Sequence, residues 1–305
     1  GEEYSMRRNY YHKPVMSLHW DYKITDATKL STVVYASFGR GGGTGTVGST
    51  SAIEAYRLAD GSINFDRIYQ SNKANNSAAL ARRSSINSHN WIGAISSLNH
   101  KLNDNLNFTV GVDGRYYKGL HYRVMSDFLG ATSYKDNTDI NNPNRIITDA
   151  YDASPNWNPF GGKTDETKIM YNNDGIVNWL GGFGQLEYSI GGLSAFAQGS
   201  ISNQGFQRVD YFLYTPANQK TEMVNKLGYN VKVGANYNIN SHHNVFVNGG
   251  YYERQPFFGA VFLNQRNDIN PNLENEKVSS VEVGYGFRSS IFNANVNLYN
   301  TVWDD

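Results

Sequence analysis

The stretch "YNVKVGANYNI", Tyr229 to Ile239, decides how the chain is to be read. Its odd positions are Tyr229, Val231, Val233, Ala235, Tyr237 and Ile239. Its even positions are Asn230, Lys232, Gly234, Asn236 and Asn238. Period 2 puts successive side chains on opposite faces of a strand, here one apolar and one polar. The same alternation runs through Leu106–Val112, Val281–Phe287, Phe292–Leu298 and Met16–Tyr22. It marks about ten segments, near 9–24, 29–40, 88–101, 106–122, 173–190, 193–210, 226–240, 244–254, 276–288 and 291–303. Those at 88–101 and 173–190 are the least regular, because Trp91 and Phe183 blur which face is which.

The connections alternate too. Short turns at 25–28, 103–105, 191–192, 240–243 and 288–290 join the segments in pairs. Between the pairs lie polar stretches at about 41–87, 123–172, 211–225 and 255–275. Structureless loops beyond about 12–15 residues are uncommon in compact domains. Short turns on one side and long loops on the other fit an antiparallel up-and-down transmembrane β-barrel better than a soluble sandwich or propeller.

Composition agrees. The 305 residues include 22 Tyr, 15 Phe, 5 Trp and 30 Gly. Aromatic and β-branched residues with Gly and Asn turns favour strands. No stretch approaches the roughly 18 apolar residues of a membrane helix, but a spanning strand needs only about 9–11 residues, alternate ones apolar. Formal net charge is zero and no long basic run exists, which gives no case for nucleic acid. With no cysteine, disulfides and thiolate metal sites are excluded.

One motif points elsewhere. Gly43-Thr44-Gly45-Thr46-Val47-Gly48 has the G-x-G-x-x-G spacing of a dinucleotide loop, and Ser51 with Glu54 could cap a helix over 51–59. A dinucleotide fold needs repeated βαβ units with nearly continuous apolar strands. Here a single possible helix stands among alternating strands, so the glycines are expected to begin the first long loop.

"NPNLENEKVSSVEVGYGF", Asn270 to Phe287, and "ANVNLYNTVWDD", Ala294 to Asp305, resemble TonB-dependent outer-membrane receptors. Asn270, Pro271, Leu273, Glu276, Glu282, Gly284, Asn295, Tyr299 and Asp305 match, whereas Asn275 stands where the family usually has proline. "YHKPVMSLHWDYKI" and "FGRGGGTGT" look like members with an extra carboxypeptidase-regulatory-like N-terminal domain. The resemblance implies a bacterial outer-membrane barrel of about 22 strands closed around a plug. Residues 1–305 would be part of that one barrel domain, about 10 strands, with plug and C-terminal strands lying outside the sequence. It further implies energised uptake of a large scarce solute, such as a siderophore complex, haem, cobalamin or an oligosaccharide. Partners would be the protein's own plug, the TonB complex, outer-membrane lipid and an extracellular solute. A passive porin-like channel or a barrel-based adhesin is the alternative.

No catalytic residue, cofactor site or metal site is expected. The seven histidines form no H-E-x-x-H, and His242-His243 falls in a short turn. "KDNTDINNPN", Lys135 to Asn144, is oxygen-rich but lacks the glycine of an EF-hand. Solute contact is expected from Arg115, Lys232, Asn236 and Glu282 on the polar face, and from Trp157 and Phe160 in an aromatic loop, where flat rings beside polar groups suit stacking.

Overall fold

The computed structural model describes residues 4–155 and 165–304. Ten long antiparallel passes form one open sheet. The first pass is split at Lys13-Pro14 into β1 (Asn9–His12) and β2 (Val15–Lys23), both paired to the same edge of β3 (Thr28–Thr46). β4 (Arg82–Lys101) and β5 (Leu106–Asp127) follow. A short hairpin, β6 (Tyr134–Asp136) with β7 (Arg145–Ile147), lies in the next loop. The sheet continues with β8 (Ile169–Ile190), β9 (Leu193–Asp210), β10 (Val224–Asn238) and β11 (His243–Arg254). A second loop hairpin, β12 (Phe262–Leu263) with β13 (Asp268–Ile269), precedes β14 (Glu276–Arg288) and β15 (Asn293–Asp304). Among the described residues no ladder joins β15 to β1 or β2, as expected for strands that need further neighbours to close.

Register settles the two faces. Val231 and Val233 lie opposite Gly199 and Ala197 on one side and Tyr251 and Gly249 on the other. Following partners across the sheet places Leu186, Val110, Val112, Ile92, Val34, Val247, Val283 and Leu298 on that same face. These side chains are exposed, Leu298 at 69% and Val233 at 51%. An apolar face this wide is costly in water and stable against lipid tails. Trp91 and Phe183 both fall on the opposite, polar face: Trp91 lies opposite Ser37 and Tyr117, and Phe183 lies opposite Gly111 and Ser200. Phe183 covers Gly111, where an added Cβ would sit 2.3 Å from the ring.

The glycine-rich stretch departs from expectation. Gly39–Gly45 belongs to β3, and the loop begins only after Thr46. Gly41 and Gly42 pair with Tyr11 and Tyr10 of β1, and an added Cβ on Gly41 would sit 1.8 Å from the Tyr11 ring. The glycines thus admit aromatic rings across a continuing ladder. The expected helix at 51–59 is a 3-10 helix, Thr50–Tyr56, capped by Ser49 rather than Ser51. A helix not foreseen, α1 (Phe65–Asn75), follows it. Its N-cap is Asn64, whose side chain accepts from the Arg67 amide.

Buried apolar side chains concentrate at the long-loop end. Ile53, Ile68, Leu80 and Leu129 form one cluster and Ala78, Ala81, Met125, Ile147 and Ile169 another. The loop after β11 carries α2 (Phe258–Val261) and folds onto the polar face, burying Val261 and Phe262 against Phe206.

Candidate functional site

The polar face is the surface a passing solute would meet. It is built by alternate residues of every pass, so its chemistry is set by period 2 and cross-strand register. Two regions differ in character.

The region over β8–β15 is lined mainly by amides and hydroxyls, with Glu187, Lys232 and Glu282 set among them. Asn236 accepts from Asn244 Nδ2 at 2.8 Å and donates to Asn238 Oδ1 at 3.2 Å. With Gln185, Gln198, Phe196, Phe246 and Asn248 it lines a groove of about 610 Å³. Lys232 holds its ammonium 5.5 Å from the Phe196 ring and, with Asp113, borders a neighbouring recess of about 390 Å³. Glu282 lies opposite Asn248 and Tyr299.

The region over β1–β9 carries cations and large aromatics. Arg115 stands between two indoles, its guanidinium carbon 5.8 Å from the Trp91 ring and 5.3 Å from the Trp179 ring. Lys13 lies 5.5 Å from Trp91. Tyr35 and Tyr117 meet Trp91 edge-on, and His89 stacks on Tyr117. Each cation–ring contact contributes about 0.5–2 kcal/mol according to exposure. Among the described residues neither indole Nε1 has a hydrogen-bond partner. Towards the loops, Arg123 lies 4.9 Å over Tyr171.

The structure thus places Arg115, Lys232, Asn236 and Glu282 on the expected face, spread across the sheet and not gathered at one point. Trp157 and Phe160 lie outside the described residues. Of the partners of Arg115, Trp91 stands where the sequence leaves the faces ambiguous, and Trp179 carries no sequence signal of its own; cross-strand register places both on the polar face. Arg83 and Ser85 also fall on this face. They were hidden because 82–87 reads as loop.

The loops are tied by charge. Arg40 makes two bonds to Glu166, and Tyr122 donates to the same carboxylate at 2.9 Å. The oxygen-rich stretch 135–144 turns its carboxylates inward: Asp136 accepts from Thr138 and Arg145, and Asp139 from Asn141 and Asn142. Asp174 accepts from Tyr211 and pairs with Lys118, both at 2.8 Å. Burial, then the Asp174 carboxylate, pushes the Tyr211 phenol well above its ordinary value. His243 Nδ1 meets Tyr285 Oη at 2.6 Å. Among the described residues, no three His, Asp or Glu side chains gather as a metal site.

The residues that carried the family resemblance have local roles. Leu273 packs with Phe206 and Phe262, and its carbonyl accepts from Lys226. Glu276 pairs with Arg254. Gly284 lies under the Phe246 ring.

No curated protein matches the chain. Among solved structures it is similar to the copper transporter OprC, with 12% identity and a TM-score of 0.64 over 97% of this chain and 39% of that one. It is similar to the ferric citrate transporter FecA in the unliganded form, with 12% identity and a TM-score of 0.59 over 96% of this chain and 34% of that one. The closed form of the ferric-catecholate import receptor Fiu from E. coli K12 gives 13% identity and a TM-score of 0.57 over 95% and 40%. The chain therefore spans about two fifths or less of these proteins, and the likeness at such identities concerns the fold. The family described as TonB dependent receptor-like, beta-barrel matches residues 7–305. Its members are transporters and not enzymes. With a two-faced antiparallel sheet, short turns at one end and long loops at the other, the chain belongs to the TonB-dependent receptor β-barrel family of the bacterial outer membrane.

Proposed function

We propose that these strands form part of the wall of a transporter that takes up a large scarce solute, energised through TonB. The observation that carries the reading is the polar face, which would line the lumen. There Arg115 stands between Trp91 and Trp179, below loops that fold onto the same side. Rings interleaved with cations and amides suit a large solute with both flat and polar parts. Similar structures are named for copper, ferric citrate and ferric catecholates, which favours a metal or metal chelate over an oligosaccharide. The partners are a plug inside the barrel and the TonB complex, which would pull on that plug. The first strands and the glycine stretch further suit a member with a carboxypeptidase-regulatory-like domain, to be sought in the full gene.

The test is uptake by cells expressing the full-length protein, with and without TonB and with the proton gradient collapsed. Accumulation of a labelled metal chelate, haem, cobalamin or oligosaccharide should vanish in both deprived states. Flux that continues unchanged would identify a passive channel. Surface binding without accumulation would identify an adhesin.

A further inference from the structure

At the loop end of the sheet and in the loops, not all cations are neutralised. Arg40, Arg145 and Arg208 each close on a carboxylate, Glu166, Asp136 and Asp210 respectively. Arg83 and Arg123 do not. Both donate to one hydroxyl, Ser85 Oγ, from Arg83 Nη1 at 2.9 Å and Arg123 Nε at 3.1 Å. Arg83 Nη1 also reaches the Gly43 carbonyl, and Arg83 Nε is buried with no partner among the described residues. Arg123 is backed by the Tyr171 ring and touches Met170 Sδ at 3.5 Å. No carboxylate meets either guanidinium among the described residues. Two like charges on one hydroxyl repel, and the arrangement becomes favourable when an anion joins it. Ser85, already accepting two N–H groups, keeps its own proton to donate.

Beside them lies a cavity of about 670 Å³, lined by Arg123, His121, Asn87, Tyr171, Phe258 and Phe262 among others. That volume suits a small organic molecule with apolar walls and a few fixed polar groups. Arg208 also borders it but is held by Asp210 through both terminal nitrogens.

We infer that Arg83, Arg123 and the Ser85 hydroxyl bind an oxyanion, a carboxylate or phosphate, carried by the transported solute. Tyr171 and Phe258 cover the flat apolar part of the same molecule. This inference rests on the transporter reading and narrows its substrate to an anionic solute. Arginine suits the role because its planar fork meets two oxygens at once.

The full-length receptor in detergent is titrated with phenyl phosphate, benzoate and uncharged benzyl alcohol, with binding read by saturation-transfer NMR. The two anions should bind, and benzyl alcohol should not. Arg83→Gln and Arg123→Gln should each weaken the anions about tenfold, the scale of a lost charged hydrogen bond. Arg83→Lys and Arg123→Lys keep the charge and control for folding, which is read by heat-modifiable mobility. Equal binding of benzyl alcohol, or anion binding unchanged in both Gln variants, would overturn the inference. So would anions that bind only after the plug is deleted, because the arginines would then serve a plug carboxylate. If anions bind as expected but uptake ignores TonB, the transporter reading fails and the anion site stands.

Discussion

Arg40 and Glu166 form a bidentate pair, Nη1 to Oε2 at 2.9 Å and Nη2 to Oε1 at 2.7 Å, with both side chains at most 2% exposed. Arg40 belongs to the same period-2 set of β3 as Leu30, Val34 and Phe38, so the pair sits on the apolar-face side of the sheet. Tyr10, Ile86, Tyr122 and Val124 surround that site with Ala153 of the loop. Glu166→Leu leaves a buried guanidinium without its counter-charge, a cost of about 3–5 kcal/mol. The expected outcome is release of the loop from the flank. Amide exchange and proteolysis should rise around 149–155 and 165–168, with the barrel still folded. Arg40→Met combined with Glu166→Leu should recover much of the loss. A double variant as labile as the single one would show that the pair is not what holds the loop.

Val233 and Asn236 test the two faces on one strand. Val233→Arg puts a charge among lipid tails, at about 2–4 kcal/mol near mid-bilayer. Asn236→Arg enters the groove shared with Gln185, Gln198 and Asn248 and should be mild. The yield of folded, heat-modifiable full-length barrel separates them. Equal losses would contradict the face assignment, and a larger loss for Asn236→Arg would reverse it.

Gly192 tests a turn. Gly191 has φ +55°, and a Cβ on Gly192 would sit 2.5 Å from the Asn238 carbonyl oxygen. That atom is backbone within a ladder and cannot move aside. Gly192→Ala should cost about 1–3 kcal/mol. Gly182→Ala, whose nearest neighbour lies at 3.8 Å, should be nearly neutral. Denaturant unfolding of the full-length barrel in micelles compares the two.

Tyr211 tests a loop anchor outside the bilayer. Its phenol is held protonated by burial and by Asp174. A group whose folded pKa is raised gives a contribution that is full below its unfolded value, about 10, and lost as pH climbs through the folded value. Protection of 211–223 should therefore be flat from pH 6 to about 9 as far as this phenol is concerned, and fall above about 10. Tyr211→Phe should remove about 1 kcal/mol of local stability at neutral pH and abolish that alkaline fall. A variant that keeps the fall would assign it to another group.

Strands were legible where one solvent governs the whole segment. At 226–240 lipid on one side and water on the other impose clean alternation, and β10 was found within two residues at each end. The upper parts of β3, β4 and β5 were not legible. There loop packing replaces lipid, so Arg40, Ser88 and Tyr122 occupy the apolar-face register and Gly41–Gly43 read as the start of a long loop. Of the candidate site, the polar-face residues followed from parity alone. Convergence did not: the Arg83–Ser85–Arg123 group joins two strands whose register no local pattern reveals.

The length of β5 has its own consequence. Twenty-two residues extend about 70 Å along the strand, and at a tilt near 45° they rise about 50 Å, roughly twice an apolar band of about 25 Å. The wall therefore stands proud of the headgroups like a chimney, and its outer flank passes from oil into brine partway up. Val110 and Tyr122 share one face by register yet answer to different solvents. Sequence drift should follow membrane rules at the first and globular-core rules at the second, so that one strand evolves under two chemistries.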